Sequence, residues 1–171
     1  QPQLAIYEDP QGPRFEGSFA AEPSHNPQTV KVVSYNIDDG KNLAQAVREL
    51  GMYNPLRGSD FFLLQEMDEQ GVDEIAQALQ YNYVYFPASI HTRHDKNFGN
   101  AILSPWSITN PAKITLPFAN PRNSQTRIAT RAVVMVGDKE VLAYSVHTET
   151  PWLGQGKRYA QIESLIADVG E

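Results

Sequence analysis

A short apolar run followed by an acid has the clearest chemical meaning in this sequence. Residues 61–64 are all apolar, which is typical of a strand buried on both faces, and Glu66 follows where that strand should end. In open α/β sheets, ligands bind in the crevice outside the carboxyl ends of the strands. A carboxylate that a rigid strand carries to this crevice suits a hard cation such as Mg²⁺. Glu66 is therefore a candidate metal ligand, and the alternative is that it only begins a loop.

A second strand with a polar end lies upstream. Residues 30–37 are rich in β-branched and aromatic side chains, and Asn36 precedes the turn-like sequence Asp38-Asp39-Gly40. A helical pattern separates the two strands, so they form a βαβ unit whose right-handed crossover brings both strand ends to one edge of a sheet. We therefore expect Asn36 and Glu66 to be neighbours in space, although Asn36 also suits a turn residue.

A later hairpin carries a histidine and two arginines. Residues 126–136 and 141–146 flank Gly-Asp-Lys-Glu, which indicates a β-hairpin, and His147 follows the second strand. A histidine at a strand end can donate to a phosphate or transfer a proton. Arg127 and Arg131 should share one face of the first strand. There a guanidinium either holds a phosphate through two hydrogen bonds or pairs with a surface acid.

Four short motifs occur in order along the chain. They are Ser-Tyr-Asn-Ile at residues 34–37, Leu-Gln-Glu at 64–66, Phe-Gly-Asn-Ala-Ile-Leu-Ser at 98–104 and Val-His-Thr-Glu-Thr at 146–150. Together they resemble the endonuclease/exonuclease/phosphatase family, which includes the pancreatic-type deoxyribonucleases and the bacterial sphingomyelinases. The resemblance implies a metal-dependent phosphoester hydrolase, most simply a phosphodiesterase that uses Mg²⁺, with Mn²⁺ as the other candidate ion.

The resemblance implies catalytic roles for Asn36, Glu66 and His147. Glu66 and Asn36 are the candidate metal-site residues: Glu66 would hold the metal, and Asn36 would orient the metal's ligands or donate to the phosphate. His147 would contact the scissile phosphate, as the histidine of the family's Asn-Thr-His-Leu-Glu segment does. Val146 stands where that segment has Thr, so the match at His147 is imperfect.

The resemblance also implies substrate contacts. An arginine in this part of the family contacts the phosphate, and its spacing from His147 favours Arg127 over Arg131. Asn100, in the third motif, is expected to support the site from behind. The substrate class stays open between nucleic acid, phospholipid and a small phosphodiester.

The fold that the resemblance implies is an α/β protein of the α+β type, a four-layer α/β/β/α sandwich, of which this chain supplies roughly the first half. The family's Gly-Asp-Phe-Asn and Ser-Asp-His motifs, the latter with the general base, do not occur. We therefore expect one sheet with an uncovered apolar face, which a missing C-terminal half or a partner chain would cover. The rival function is a catalytically incomplete phosphate-binding module of the same fold.

The chain divides into an arm and a domain. Residues 1–28 contain five prolines and no periodic apolar face, so they are expected to form an extended arm or a disordered tail, with Phe15 and Phe19 as anchors. Residues 29–171 form the half-domain, with helical periodicity near residues 43–50, 72–79 and 158–169. The last helix should present Tyr159, Ile162, Leu165, Ile166 and Val169 on one face. The dipeptides Asn110-Pro111 and Asn120-Pro121 should bracket a short strand.

Residues 89–97 are expected to form a charged, solvated loop. His91 and His94 have a short spacing that suits zinc, but no third ligand is evident in the sequence, so no zinc site is predicted. His94 and Arg93 are instead candidate substrate contacts at the rim of the site.

The composition limits the classes of protein to which this chain can belong. The 171 residues are 41% hydrophobic and contain no cysteine, which fits a soluble globular protein without a disulfide framework. No run approaches the roughly 18 apolar residues of a membrane span. The net charge of -6 argues against a generic nucleic-acid binder and favours a sugar- or lipid-phosphate substrate. The compartment is unknown, and the first residue, Gln1, is compatible with a secreted or periplasmic protein after removal of a leader.

Overall fold

The computed structural model of the chain describes residues 5–21, 23–91, 93–151 and 154–170. None of the helices in these ranges has the length and apolar character that crossing a membrane requires. The strands are β1 (Phe15–Gly17), β2 (Val32–Asn36), β3 (Phe61–Met67), β4 (Asn82–Ile90), β5 (Asn97–Ser104), β6 (Ser107–Thr115), β7 (Ile128–Val136) and β8 (Lys139–Val146), and the helices are α1 (Leu43–Met52), α2 (Glu69–Leu79) and α3 (Gln155–Val169).

The first sheet has the strand order β1-β4-β5-β3-β2. β2 and β3 are parallel and joined through α1, as the predicted βαβ unit requires, and the other neighbours are antiparallel. α1 and α2 cover one face of this sheet, where Leu50 and Ile75 join a core with Phe62 and Leu64. Asp68 caps the N-terminus of α2, and its carboxylate accepts the N–H of Gly71 at 2.7 Å.

The second sheet has the order β6-β7-β8 and is antiparallel throughout. It packs against the other face of the first sheet, because Phe61 and Phe86 share a core with Ile128 and Val134. The expectation of a single sheet with an uncovered face is therefore wrong. The hairpin and the strand before it already supply the covering sheet.

α3 lies on the outer face of the second sheet, where Leu165 packs with Leu116 and Ala129. The predicted α/β fold of the α+β type, a four-layer α/β/β/α sandwich, is confirmed. The predicted apolar face of α3 is wrong, because among its five residues only Leu165 is buried. The helix instead meets the sheet through Gln161, Leu165 and Asp168, which recur at helical spacing, and it leaves exposed Tyr159, Ile162, Ile166 and Val169.

The described part of the N-terminal segment is extended and packed. β1 pairs antiparallel with β4 at the edge of the first sheet. Phe15 lies 5.9 Å from Tyr85 and Phe19 lies 6.3 Å from Tyr83, measured between ring centroids. Phe15 and Phe19 therefore pack on the first sheet, as anchors of the predicted arm would. Residues 1–4 and 22 of that arm lie outside the described residues.

The sequence Asn110-Pro111 lies inside β6, so the prediction that it bounds a strand is wrong. The pairing of β6 with β7 shifts register between Thr109 and Ala112, and Asn110 has a left-handed φ of 49°. A proline is tolerated there because β6 is an edge strand and the bulge removes the need for a ladder N–H.

Candidate active site

Glu66 and His147 meet where the two sheets face each other. Glu66 lies near the end of β3 in the first sheet, and His147 directly follows β8 in the second. Their Oε1 and Nε2 atoms are 3.7 Å apart, and the side chains are 21% and 19% exposed. The fold thus brings together the acid and the imidazole that the sequence singled out, in a place that solvent reaches.

Glu66 has a strained backbone. Its φ is 58°, in the left-handed region that few residues with a Cβ occupy, and it sits at the bulge between Leu64 and Met67 in the pairing with β5. Gly99 lies opposite Met67, and a Cβ there would collide with the carbonyl of Phe86. Strain of this kind costs about 1–3 kcal/mol and concentrates at functional sites.

Two further acids lie beside Glu66. Asp38 and Asp39 follow β2, both have left-handed φ angles, and a carboxylate oxygen of each lies within 4.8 Å of the other's and of one of Glu66. Asn36 is opposite Gln65, one residue before Glu66, as the βαβ unit predicts. Its Oδ1 accepts the N–H of Asp38 at 2.9 Å, so in this structure Asn36 shapes the loop that carries the acids.

The sequence marks Asp38 and Asp39 only as a turn and gives them no chemical role. Acids that follow a strand of a βαβ unit nevertheless reach the same crevice as Glu66. Burial alone would raise the pKa of Asp39, but its electrostatic interactions with His91, Lys41 and Arg93 outweigh the effect of burial and hold this pKa below its ordinary value. Asp39 is therefore an ionised, largely buried carboxylate.

His147 is held in one protonation state. Nη1 of Arg127 lies 3.2 Å from its Nδ1, and because a guanidinium can only donate, Nδ1 must accept. Burial first, and the Arg127 charge second, lower the pKa of His147 to about 4. The ring is therefore neutral at pH 7 with its proton on Nε2, facing Glu66, so this 3.7 Å contact is not an ion pair.

Arg127 is itself engaged by the protein. Its Nη2 lies 3.3 Å from Oε1 of Glu149, and both side chains are almost inaccessible. Burial would raise the pKa of Glu149, but the N–H of Thr150 and the guanidinium outweigh it and lower this pKa. The guanidinium also lies 5.4 Å from the ring of Phe98. Arg127 thus lies beside His147, as its spacing in the sequence suggested. Its charge faces Glu149 rather than solvent.

Arg131 lies elsewhere. Its Nη1 donates to both carboxylate oxygens of Asp168 in α3, at 3.1 and 3.2 Å, so its charge attaches the helix to the second sheet. The predicted substrate contact from Arg131 is not supported by this placement. The reason is that α3 covers the strand face on which Arg131 lies.

Asn100 lies between the sheets and is only 2% exposed. Its Nδ2 donates to the carbonyls of Ile128 and Ser145 at 2.8 and 3.2 Å. Nε2 of Gln65 donates to Oγ of Ser145 at 3.2 Å, and that hydroxyl donates to the carbonyl of Leu64. Asn100 is too buried to touch a substrate, so its contacts fit support from behind, and Gln65 of the Leu-Gln-Glu motif was missed.

His91 and His94 have the third ligand that the sequence did not reveal. It is Asp39, one ligand atom of which lies within 4.8 Å of a ring nitrogen of each histidine. His91 is buried, so the prediction of a wholly solvated loop is wrong, while His94 is exposed. A loop more than fifty residues away supplies the carboxylate, and local spacing cannot show such a contact.

Comparison with known proteins gives a family match that covers most of the chain. A profile of the Endonuclease/Exonuclease/phosphatase family matches residues 33–168. No sequence among the curated proteins matches the chain.

Several solved structures share the fold. Humanized D. rerio TDP2 with 14 mutations is similar at a TM-score of 0.61 and 20% identity, over 83% of this chain and 56% of that one. An endonuclease/exonuclease/phosphatase family protein from Bacteroides thetaiotaomicron gives 0.64 and 18%, over 85% and 61%. D. rerio TDP2 complexed with single strand DNA product gives 0.58 and 20%, over 83% and 55%. The chain spans little more than half the length of these proteins.

Proposed function

We propose that the chain, which belongs to the endonuclease/exonuclease/phosphatase family, is part of a metal-dependent phosphoester hydrolase. This part would bind the metal and the phosphoryl group. The observation that carries the proposal is the 3.7 Å approach of Glu66 and His147. These side chains come from different sheets, and each is partly open to solvent. Nothing in their local sequences requires them to meet.

The metal would be held by Glu66 together with Asp38 and Asp39. Their donors are all carboxylate oxygens, which suit the hard ion Mg²⁺ and also Mn²⁺. Three acids at left-handed backbone positions are unfavourable by themselves, because strain and like-charge repulsion add, and a divalent ion would relieve the repulsion. A bound ion supplies charge neutralisation for the phosphoryl oxygens and lowers the pKa of a water molecule.

His147 would donate a hydrogen bond to a phosphoryl oxygen through Nε2. It is neutral at pH 7 because its pKa is about 4, and it is a poor base because Nδ1 is occupied by Arg127. We assign Arg127 the role of orienting His147, and a direct contact between Arg127 and phosphate stays a prediction from the sequence. The reaction would be in-line attack of water, with the general base supplied from outside these 171 residues.

The substrate we favour for a first test is a phosphodiester of nucleic acid, since D. rerio TDP2 has been solved with a single strand DNA product. Phospholipids and small phosphodiesters stay as alternatives, and the net charge of -6 disfavours long-range attraction to a polyanion. A secreted or periplasmic location stays a prediction.

The second candidate function is a phosphate-binding module without catalysis, and one observation favours it. Neither ring nitrogen of His147 is free to accept a proton in this structure, and a module that only binds phosphate does not need such a base. Turnover of bis-p-nitrophenyl phosphate, measured with and without Mg²⁺, separates the two functions, because only the hydrolase releases p-nitrophenol in a metal-dependent way.

The decisive variant is Glu66→Gln, which removes a charge and keeps the shape. We expect it to reduce Mg²⁺-dependent hydrolysis by the complete protein to background, and to weaken Mg²⁺ binding by this chain in calorimetry. Glu74→Gln is the matched control, because Glu74 is an exposed acid of α2 and should leave both properties unchanged. Activity retained in Glu66→Gln would overturn the metal assignment.

A further inference from the structure

We propose that Asp39, His91 and His94 form a second metal site, for a borderline divalent ion such as Zn²⁺, next to the oxygen-rich site at Glu66. The three ligands come from two loops. Asp39 lies between β2 and α1, and the histidines lie between β4 and β5.

The distances between the donors fit an ion better than they fit hydrogen bonds. Nε2 of His91 lies 3.6 Å from Oδ1 of Asp39, and Nε2 of His94 lies 3.5 Å from Oδ2. Hydrogen bonds between such atoms are usually 2.7–3.2 Å. Ligands at about 2.0–2.1 Å from a tetrahedral zinc ion lie about 3.4 Å from one another, so only small shifts are needed to surround an ion.

The ring positions are consistent with a shared ion. The imidazoles of His91 and His94 are stacked, 4.8 Å apart between centroids with an interplanar angle of 11°, so both rings lie at the same place beside Asp39. Phe98 packs against His91 at 5.1 Å, and this ring is only 9% exposed. One ligand is therefore held by the core, while the other can adjust.

A small cavity lies at this place. Its volume is about 10 Å³, and its lining includes Asp39, Glu66, His91 and His94. That is about the space that one water-sized particle occupies. A single ion fits both this volume and the donors, with protein displacement limited to side-chain shifts.

This site shares Asp39 with the one at Glu66, but its other donors differ. Two imidazole nitrogens and one carboxylate favour zinc and its transition-metal neighbours, whereas Mg²⁺ prefers oxygen ligands throughout. Three protein ligands leave an open position for water or a substrate oxygen, as in catalytic rather than structural zinc sites. The ion would also join the loop of the three acids to the loop before β5.

Two cations compete for the same carboxylate. Nζ of Lys41 and Nη2 of Arg93 lie 3.5 and 3.4 Å from Oδ2 of Asp39, but both side chains are largely open to solvent, where such pairs contribute little. Binding through Nε2 of His91 also requires the proton on Nδ1, which gives up the 3.3 Å contact from the N–H of Arg93. Both costs are small beside the coordination of a divalent ion.

The test is Zn²⁺ binding by calorimetry to the chain after treatment with a chelator. We expect wild-type protein to bind one Zn²⁺ that His94→Ala binds at least about tenfold more weakly. His25→Ala is the matched control, since His25 is an exposed histidine whose ring packs on Trp106. Glu66→Gln should keep Zn²⁺ binding, which distinguishes this site from the proposed magnesium site.

The outcomes decide the proposal in either direction. His94 is 42% exposed, so its replacement should not unfold the chain, and circular dichroism checks this. Nitrogen NMR of the wild-type protein provides a second measurement, because Zn²⁺ should shift Nε2 of His91 and His94 but neither nitrogen of His25. Equal Zn²⁺ affinity in wild type and His94→Ala, or an equal loss in His25→Ala, would overturn it.

Discussion

His147 is the residue whose chemistry depends most on its surroundings. Burial and the nearby guanidinium lower its pKa from the ordinary 6.5 to about 4, so folding must keep it neutral. In the unfolded chain the same side chain takes up a proton near its ordinary pKa. Stability must therefore fall as the pH falls through the interval between these two values, because there the unfolded state binds more protons.

The prediction concerns the metal-free chain, kept in a chelator. Between pH 7 and pH 4 we expect His147 to remove about 3 kcal/mol from the free energy of unfolding. His147→Gln should lose this part of the pH dependence, and His25→Gln should keep it, because His25 is exposed. Urea unfolding at both pH values measures the difference. An unchanged pH dependence in His147→Gln would show that the imidazole is not held neutral.

At the scale of elements, the N-terminal segment depends on one buried lysine. Lys113 in β6 is 3% exposed, and its Nζ donates to the carbonyls of Tyr7 and Gly12 at 2.8 and 2.6 Å. Burial lowers the pKa of this lysine. The segment before β1 is thus held by the second sheet as well as by its pairing with the first.

Lys113→Met should release this segment, because it leaves two carbonyls without their donor at a cost of about 1–3 kcal/mol for each group that stays buried. We expect faster hydrogen exchange at the amide of Tyr7, which donates to the carbonyl of Ala88. Lys139→Met, an exposed lysine at the start of β8, is the control and should exchange like wild type. Equal protection at Tyr7 in both variants would contradict this role.

The sequence predicts those elements whose signals are local. Helical spacing predicts α1 and α2, and the Gly-Asp turn predicts the β7–β8 hairpin, in which Gly137 has a φ of 64°. The bulge at Glu66 and the bulge at Asn110 escape prediction, because each depends on the strand that lies alongside. The same holds for Asp39 beside His91, since residues from two loops meet only after the sheet has formed.

The sequence therefore predicts those parts of the candidate site that lie at the ends of strands. Glu66 lies near the end of β3 and His147 directly follows β8, and the βαβ unit explains why Asn36 lies near Glu66. The pairing of Arg131 with Asp168 was not predictable, because it depends on how α3 lies across the second sheet. Neither was the exposed stripe of α3, since a helical pattern shows that a face exists but not which face is covered.

For the whole molecule, the site depends on the spacing of the two sheets. Glu66 belongs to one sheet and His147 follows a strand of the other, and the buried amides of Gln65 and Asn100 cross the gap between them. Polar groups in such a place are unfavourable unless every one is paired. Their hydrogen bonds fix the separation of the sheets, which apolar packing alone would leave less well defined.

Asn100→Ala should therefore act on both stability and site geometry. It removes two buried hydrogen bonds, and we expect the free energy of unfolding to fall by about 2 kcal/mol and Mg²⁺ binding to weaken as well. Asn54→Ala, at an exposed loop position, should change neither. Chemical denaturation and calorimetry on the two variants make the comparison. Unchanged Mg²⁺ binding in Asn100→Ala would separate the sheet contact from the site.

The two edges of the second sheet differ in whether another strand can pair with them. Its β6 edge is closed to further pairing by Pro111 and the bulge beside it, whereas β8, among the strands that the structure describes, pairs with β7 alone. Any additional strand, from the same polypeptide or from another, would find its template along β8. If it ran parallel to β8, its last residue would arrive beside His147, and the side chains that follow would enter the crevice from its open side.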